Sequence, residues 1–256
     1  MKNENPLVSV VINCFNSEKY LVEAIESVIS QTYKNWEIVF WDNASDDQSP
    51  EIVKSFNDKR IRYYRGDETV LIYTARNFAI NKCKGELISF LDCDDIWMPD
   101  KLEEQVKLFF QGNEIIYGGY KIIDQNGKGT NEIHNYLRDF NTKHLLLFRR
   151  TISIGAVILN SKILKENLFN DSYQLMGDFE LWFRLSLKYK FFNSGTIVEL
   201  SRQHGDNVSH TSNQELWDDE RRMFYSDFFK ETSLFRYPQI IIYIFLATLQ
   251  RLYRKI

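Results

Sequence analysis

Short apolar runs alternate with stretches of helical periodicity along the first hundred residues. Residues 7–13 form an apolar, β-branched run, which is typical of a strand buried on both faces. Apolar residues then recur at helical spacing over 21–29, after Asn16 and Ser17 as candidate helix caps. The alternation continues, and it predicts strands at 36–41, 61–65 and 87–91 and helices at 49–56, 74–83 and 99–109.

Strands that alternate with helices of this length predict an α/β fold, with a mainly parallel sheet and helices on both faces. In open sheets of this kind, ligands bind beyond the carboxyl ends of the strands. Polar and acidic residues stand at these ends: Asn13 after the first strand, Asp42 and Asn43 after the second, and Asp92 and Asp94 after the fourth. We therefore expect a binding site at this edge. The third strand is more polar and is expected near an edge of the sheet.

The pattern beyond residue 112 is less regular. It predicts strand residues over 115–124 before a turn at Asn126-Gly127, a strand at 155–160, a helix at 178–187, a strand at 196–201 and a helix at 214–229. The sequence shows no internal repeat and no Gly/Ser-rich linker. We therefore predict one compact domain over residues 1–212, with a helical C-terminal appendage over residues 213–256.

Composition excludes several classes of protein. The 256 residues include 32 basic and 35 acidic side chains, for a net charge of −3, whereas a nucleic-acid-binding chain normally has a basic excess. Apolar residues at 44% and charged residues at 26% exclude wholesale disorder. Three cysteines without a CxxC motif favour neither a disulfide framework nor a zinc site, and they suit a reducing compartment. We expect no signal segment in the polar residues 1–6 and no apolar run of the ~20 residues that span a bilayer.

The C-terminal tail differs from the rest of the chain in charge. Residues 236–256 contain four basic residues and no acidic one, so the tail carries +4 and the remainder of the chain −7. Its apolar residues are concentrated at 240–249, ahead of most of the basic ones. Two interpretations are open: a helix that packs on the domain or on another subunit, and an interfacial anchor whose cations bind anionic headgroups.

The strongest local motif is Asp92-Cys93-Asp94-Asp95. Carboxylates two residues apart at a strand end can both reach a divalent cation. Mg²⁺ and Mn²⁺ prefer oxygen ligands, and Mg²⁺ is typically held by one or two carboxylates together with substrate phosphates. An ordinary solvated acidic turn before the helix near Pro99 explains the same residues, and the motif alone does not separate the two interpretations.

Four stretches together are similar to the family 2 glycosyltransferases, which are nucleotide-sugar-dependent enzymes of the GT-A fold. They occur in the family's order and spacing, and the resemblance covers about residues 7–205. The stretches are VSVVINCFN (8–16), SVISQTYKNWEIVFWDNASDD (27–47), ARNFAINKCKGELISFLDCDDIWMPDKLE (75–103) and GDFELWFRL (177–185).

The resemblance implies a Rossmann-like GT-A sheet and a role for each matching residue. Asp42, with Asn43, matches the pair that recognises the nucleotide base and ribose, and Asn13 lies in the loop that touches the nucleotide. Arg76 falls near the diphosphate. The remaining matches are Asp92 and Asp94 of the metal-binding DxD motif, Asp178 as catalytic base, and Arg202 and His204 in a loop that closes over the diphosphate or acceptor, with His204 as a further candidate metal ligand.

Charge and proton transfer support these roles physically. A glycosyl diphosphate is a polyanion, so an acidic pocket needs a cation such as Mg²⁺ or Mn²⁺ to bind it. An acceptor hydroxyl needs a base within hydrogen-bond reach, and Asp178 at the start of a helix is rigidly placed for this. Asp is also a common helix N-cap, so Asp178 can serve as cap, as base or as both.

Departures from the family pattern concern nucleotide recognition and processivity. Asn13-Cys14 replaces the more usual Pro-Thr, and Asn43 replaces the commoner second aspartate. Uridine remains the default base. The Gln-x-x-Arg-Trp motif of processive polymerases is absent from the sequence, which favours transfer of a single sugar.

The resulting prediction is an inverting, metal-dependent glycosyltransferase. Its partners are a nucleoside-diphosphate sugar donor and a saccharide or lipid-linked saccharide acceptor, with no nucleic acid. A homo-oligomer and peripheral contact with the inner face of the cytoplasmic membrane are compatible with the tail. The alternatives are a catalytically inactive GT-A module that binds nucleotide or sugar and, less favoured, a sugar nucleotidyltransferase. Residues 8–17 lack the glycine-rich loop that the latter generally needs.

Overall fold

The computed structural model describes residues 5–134, 152–205, 207, 212 and 214–231, with side chains described as far as residue 227 in the last segment. The described residues form nine strands: β1 (Val8–Cys14), β2 (Trp36–Asp42), β3 (Ile61–Arg65), β4 (Leu87–Asp92), β5 (Ile96–Trp97), β6 (Ile115–Ile123), β7 (Gly129–His134), β8 (Val157–Asn160) and β9 (Phe191–Arg202). Their helices are α1 (Leu21–Ile29), α2 (Ser49–Ser55), α3 (Ile72–Lys82), α4 (Lys101–Phe110), α5 (Ser161–Glu166), α6 (Gly177–Ser186) and α7 (Gln214–Glu231).

One curled sheet organises these elements, in the strand order β3-β2-β1-β4-β8-β6-β9-β5, with β7 paired to β6. Strands β3, β2, β1 and β4 are mutually parallel, which confirms the α/β fold predicted from the first hundred residues. Beyond β4 the sheet is mixed, because β8 runs antiparallel to both β4 and β6 while β6 and β9 are parallel. As predicted, β3 lies at an edge, and its residues are only partly buried or exposed.

Two apolar cores flank the parallel strands. Alternate residues of β1 point to opposite faces: Val10 and Ile12 belong to one core and Val11 to the other. The first core includes the buried faces of α1 and α4, and the second includes those of α3, α5 and α6. Helices therefore cover both faces of the sheet, which leaves the strand ends as the accessible edge.

The strand register brings the polar strand ends together. In the parallel ladders, Asn13 is opposite Asp92, and Cys14 is opposite Asp42. Three neighbouring strands thus end at the same level, with their polar residues side by side. The loops that follow them build the cleft described below.

Several boundaries differ from the sequence prediction. Helix α3 begins at Ile72, two residues before the predicted start at residue 74, and Leu71 precedes it as the N-cap without a side-chain cap bond. Strand β9 begins at Phe191, five residues before the predicted start, because it pairs along most of β6. The two-residue strand β5 pairs with β9, a contact between distant segments that local periodicity cannot reveal.

Helix α7 packs directly on the body of the fold. The ring of Phe224 lies 5.0 Å from that of Phe179 and 5.2 Å from that of Phe183, centroid to centroid, and both partners belong to α6. The basic tail at 236–256 lies outside the described residues. Within the part of the chain that the structure describes, no helix is long and apolar enough to cross a membrane.

Gly85 provides a test of the close packing beside β1 and β4. A Cβ added there would lie 2.5 Å from the Leu7 carbonyl oxygen and 2.6 Å from the Ser9 nitrogen. We expect Gly85→Ala to lower the free energy of unfolding by about 1–3 kcal/mol, because backbone has to move. Urea unfolding measures this. Gly205→Ala is the control, since nothing lies within 4 Å of its added Cβ; equal effects in the two variants would contradict the prediction.

Candidate active site

A cleft of about 570 Å³ lies at the carboxyl edge of β1 and β4. Its walls come from the loops after β1, β2, β4 and β9, the segment 69–73 with the first turns of α3, the segment that leads into α6, and helix α7. Seven of the nine residues proposed from sequence line it: Asn13, Asn43, Arg76, Asp92, Asp94, Asp178 and His204. The other two, Asp42 and Arg202, are buried behind its wall.

The loop after β1 places one polar and one aromatic residue in the cleft. The Asn13 Oδ1 atom is buried and has no hydrogen-bond partner among the described residues. Such an atom carries a desolvation cost unless a ligand satisfies it. Two residues on, the Phe15 side chain is 49% exposed and lines the same cleft. An apolar ring and an unsatisfied acceptor thus stand side by side.

Asp42 is fully buried and organises the loop after β2. Its Oδ1 accepts the Ser45 N–H at 2.8 Å, and its Oδ2 accepts the Tyr63 hydroxyl and the Arg65 guanidinium. The pairing of β2 with β3 explains this contact, because Arg65 is the register partner of Asp42. Burial of this carboxylate is therefore compensated by a cation and two further donors.

Asn43 fixes the segment on the opposite side of the cleft. Its side-chain amide donates to the Val70 carbonyl at 2.8 Å and accepts the Val70 N–H at 3.2 Å. This two-way pairing requires both a donor and an acceptor, which an amide has and an ionised carboxylate lacks. The departure from the family's aspartate thus has a structural role in holding the segment 69–71 beside the cleft.

Arg76 is buried and forms an ion pair with the first carboxylate of the DxD motif. Its guanidinium lies 2.6 Å from Asp92 Oδ1, and the arginine is only 4% exposed. Burial acts to lower the pKa of Arg76, but Asp92, Tyr73 and Asp178 together outweigh it, so the pKa is raised. The cation is therefore held permanently at the floor of the cleft.

The second carboxylate of the motif is bound to the loop after β9. Asp94 Oδ2 lies 3.0 Å from His204 Nε2 and accepts the Asn207 side-chain amide at 3.0 Å. Burial and the neighbouring Asp92 carboxylate raise the pKa of Asp94, while the His204 contact acts in the opposite direction. The structure thus brings Asp94 and His204 together, as the metal-ligand prediction requires.

Arg202 supports this loop from behind. Its guanidinium donates to the Asp94 carbonyl at 2.8 Å and to Glu23 at 2.7 Å, and its backbone N–H donates to Asp95 at 2.7 Å. It also lies over the Tyr20 ring, with the guanidinium carbon 4.4 Å from the centroid. These contacts hold the DxD turn against the end of β9.

Asp178 is the second residue of α6, and its carboxylate lines the cleft. Its Oδ1 accepts the Phe179 N–H at 2.7 Å and lies 3.3 Å from the Tyr73 hydroxyl. Burial raises the pKa of Asp178, and the positive charge of Arg76 offsets part of this rise. The helix N-cap is Met176, so Asp178 is not the N-cap.

Several cleft residues were not singled out from the sequence. They come from segments whose position depends on distant contacts, and they include Phe15, Tyr20, Tyr73, Gln174, Leu175, Asn207 and Trp217. Only Phe15 had a signal in the sequence that pointed to the site: it is an aromatic residue two positions after Asn13, at the end of the first predicted strand. The position of Trp217 depends on the packing of α7, which the sequence pattern does not specify.

The described side chains alone do not supply a complete set of metal ligands. Among the residues that the structure describes, no group of three or more His, Cys, Asp and Glu side chains could hold a metal ion. Asp92 and Asp94 nevertheless line one cleft, and the Asp92 side chain is 38% exposed. Two carboxylates of this kind fit Mg²⁺ or Mn²⁺ when substrate phosphates supply the remaining ligands.

Four of the strands, β3-β2-β1-β4, are parallel, and the acid-lined cleft lies at the carboxyl ends of β1 and β4, where the strand order reverses. This arrangement is typical of α/β proteins that bind ligands at such a point. The model for glycosyl transferase family 2 matches residues 9–171. The chain belongs to this family, and it is a glycosyltransferase of GT-A fold.

Relatives in bacteria support this assignment. An uncharacterized glycosyltransferase of Rickettsia typhi is 30% identical over 240 residues, which cover 89% of this chain and 73% of that protein. In Escherichia coli, the UDP-Glc:alpha-D-GlcNAc-diphosphoundecaprenol beta-1,3-glucosyltransferase WfgD is 31% identical over 218 residues, or 83% of this chain and 84% of that protein. Other relatives are longer, and the match with one from Rickettsia felis covers 35% of its length.

A solved structure confirms the fold. S. aureus TarS (residues 1–349) in complex with UDP-GlcNAc superposes with a TM-score of 0.68 at 19% sequence identity, over 80% of this chain and 61% of that chain. At 19% identity, this similarity establishes the fold and not the function.

Proposed function

We propose that the chain is an inverting glycosyltransferase that moves one sugar from a nucleoside-diphosphate donor, by default a UDP-sugar, to a hydroxyl of a saccharide acceptor. One observation carries this proposal: Asp178 and the two DxD carboxylates line the same cleft. Arg76 links them, because it binds Asp92 and its charge offsets part of the rise in the pKa of Asp178. The cleft thus combines a proposed site for the diphosphate leaving group with a separate carboxylate that can act as the base.

The nucleotide end of the donor is proposed to lie between the loop after β1 and the segment 69–71. Asn13 offers its unsatisfied Oδ1 to a donor on the base or ribose, and Phe15 offers a ring face on which a base can stack. Asn43 and the buried Asp42 hold the two walls. Arg202 contributes indirectly, through the loop that carries Asp94.

The DxD carboxylates are proposed to hold Mg²⁺ or Mn²⁺ together with the donor phosphates. Asp92 and Asp94 are the ligands, and His204 lies against Asp94 as a further candidate. When bound, the cation supplies positive charge that stabilises the diphosphate as it leaves. Arg76 adds a fixed positive charge and orients Asp92 towards the same site.

Asp178 is proposed as the base. The acceptor oxygen attacks the anomeric carbon while the bond from that carbon to the diphosphate breaks, and the hydroxyl proton passes to the Asp178 carboxylate. The raised pKa of Asp178 makes it a better proton acceptor than an exposed aspartate once ionised. The Phe179 N–H and the Tyr73 hydroxyl orient the carboxylate.

The acceptor is proposed to be a lipid-linked saccharide. The E. coli relative carries a diphosphoundecaprenol-linked sugar in the name of its acceptor, and a Bacillus subtilis relative is named for teichuronic acid biosynthesis. For such an acceptor we propose that the enzyme works at the inner face of the cytoplasmic membrane, where the +4 tail is suited to anionic headgroups. The single test is liposome flotation of the full chain against a chain that ends at residue 238.

The principal alternative is a module that binds nucleotide sugar without turning it over. We expect UDP-glucose or UDP-N-acetylglucosamine to raise the melting temperature with Mn²⁺, and UDP to be released when acceptor is added. Binding of a nucleotide sugar without release of UDP, whichever acceptor is added, would favour the binding module. If no nucleotide sugar raised the melting temperature, both the enzyme and the binding module would be contradicted.

Phe15 allows the nucleotide end to be tested separately. We expect Phe15→Ala to raise the KM for the donor about tenfold, since stacking of a base on an aromatic ring contributes about 1–3 kcal/mol. Turnover at saturating donor should be nearly unchanged, because Phe15 lies in the loop after β1 and the proposed base lies on a different element, α6. Phe110→Ala removes another exposed phenylalanine on α4 and serves as the control. An unchanged donor KM in Phe15→Ala would rule out the stacking.

A further inference from the structure

Glu220 of α7 is a buried carboxylate bound by three successive backbone amides. Its Oε1 accepts the N–H groups of Gln174 and Leu175 at 2.5 and 3.2 Å, and its Oε2 accepts those of Leu175 and Met176 at 3.0 and 2.8 Å. The residue is only 4% exposed. Burial of a carboxylate is costly unless its oxygens are satisfied, and here amides satisfy them.

These amides belong to the loop that leads into α6. Met176 is the N-cap residue of that helix, and its side chain makes no capping bond. Glu220 reaches the Met176 N–H from a different helix, as the glutamate of a capping box does within one helix. Its negative charge also lies at the positive end of the α6 dipole. Glu220 is therefore the cap that α6 lacks locally.

The same loop is held from its other side by Tyr73. The Tyr73 hydroxyl lies 3.2 Å from the Leu175 carbonyl oxygen and 3.3 Å from Asp178 Oδ1. The loop is thus fixed by its N–H groups to Glu220 and by a carbonyl to the residue that contacts Asp178. Glu220 thus satisfies the amides ahead of the helix, while the Asp178 carboxylate lines the cleft and accepts the Phe179 N–H.

We propose that Glu220 is a positioning residue for the acceptor side of the active site. It fixes the loop 174–176 and so sets the place of Asp178, together with Gln174 and Leu175, which line the cleft. Trp217, one turn earlier on α7, lines the cleft as well. The contact between Glu220 and the loop 174–176 therefore also sets the distance between the Trp217 ring and the base. This inference rests on the proposed role of Asp178 as base.

Glu220→Gln tests the contact between the Glu220 carboxylate and the loop 174–176 with little change in side-chain volume. The amide keeps one acceptor oxygen but presents an NH₂ group where an oxygen met backbone N–H groups, so the loop has to shift. We expect kcat for UDP release from UDP-glucose or UDP-N-acetylglucosamine with Mn²⁺ to fall about tenfold or more, since small displacements of a catalytic group are costly. The donor KM should be unchanged, because its proposed contacts lie on other loops. Asp219→Asn, an exposed neighbour on α7, is the matched control.

Two further measurements keep the outcome clear. Glu220→Asp retains the charge on a shorter side chain and should recover part of the lost kcat, and amide hydrogen exchange at 174–176 should be faster in Glu220→Gln than in the wild type. Wild-type kcat in Glu220→Gln would overturn the proposal while leaving the proposed function intact. A parallel loss of donor binding would also overturn it, since that indicates general destabilisation. A wild-type protein that binds no nucleotide sugar would overturn the proposed function itself.

Discussion

Asp178→Asn is expected to lower kcat by about 10²–10⁴-fold, the range that general base catalysis contributes. Asparagine has nearly the same shape, and its Oδ1 can still accept the Phe179 N–H and the Tyr73 hydroxyl that orient the carboxylate. It has no basic oxygen to take the acceptor proton. The proposed donor-binding residues lie on other loops, so the affinity for UDP-glucose or UDP-N-acetylglucosamine should not change. Initial rates of UDP release and calorimetric titration with the donor measure the two effects.

The stability of Asp178→Asn and the pH dependence of the wild-type activity distinguish a loss of the base from misfolding of the variant. The pKa of Asp178 is raised by burial, so the ionised form costs folding free energy above that pKa and the cost disappears as pH falls through it. Neutral asparagine avoids the cost, so Asp178→Asn should be at least as stable at pH 7 as the wild type. The activity of the wild type should decline with falling pH at a pKa above that of an ordinary aspartate. Asp171→Asn, an exposed residue before α6, should retain full activity; equal loss there would refute the assignment.

The sequence predicted that polar residues meet at one edge of the sheet, because the central strands are recognisable from local sequence. Each of β1, β2 and β4 is a mainly apolar strand with a polar residue at or next to its carboxyl end, and burial on both faces favours this composition. Parallel pairing then fixes where the ends meet, so the meeting of Asn13 with Asp92 follows from topology.

The partners of the site residues could not be predicted in the same way. Asp42 is bound by Arg65 of β3, and Arg202 is bound by Glu23 of α1, and neither pair has a local spacing that indicates it. The sequence left open whether Asp178 caps its helix. The structure resolves this through Glu220, a residue of α7 that is 42 positions away, and only tertiary packing brings it to the loop. Contacts of this kind depend on the completed fold.

Asp94→Asn is expected to reduce kcat/KM for the donor by about 10²–10³-fold, because a metal ion at the phosphates contributes several kcal/mol of charge stabilisation. Asparagine can still meet the His204 and Asn207 side chains near Asp94 Oδ2, so the loop after β9 should keep its place. What it loses is the negative charge that a divalent cation requires. Rates of UDP release across a Mn²⁺ titration measure this loss.

Chelation gives the matching experiment on the unmodified protein. EDTA should lower the wild-type rate to the level of Asp94→Asn, and it should have little further effect on that variant, because one interaction cannot be removed twice. Asp100→Asn, an exposed carboxylate six residues further on, should respond to EDTA as the wild type does. If Asp94→Asn kept the full dependence on Mn²⁺, the cation would be held elsewhere. If EDTA left the wild-type rate unchanged, the buried Arg76 would be the cation that stabilises the leaving diphosphate.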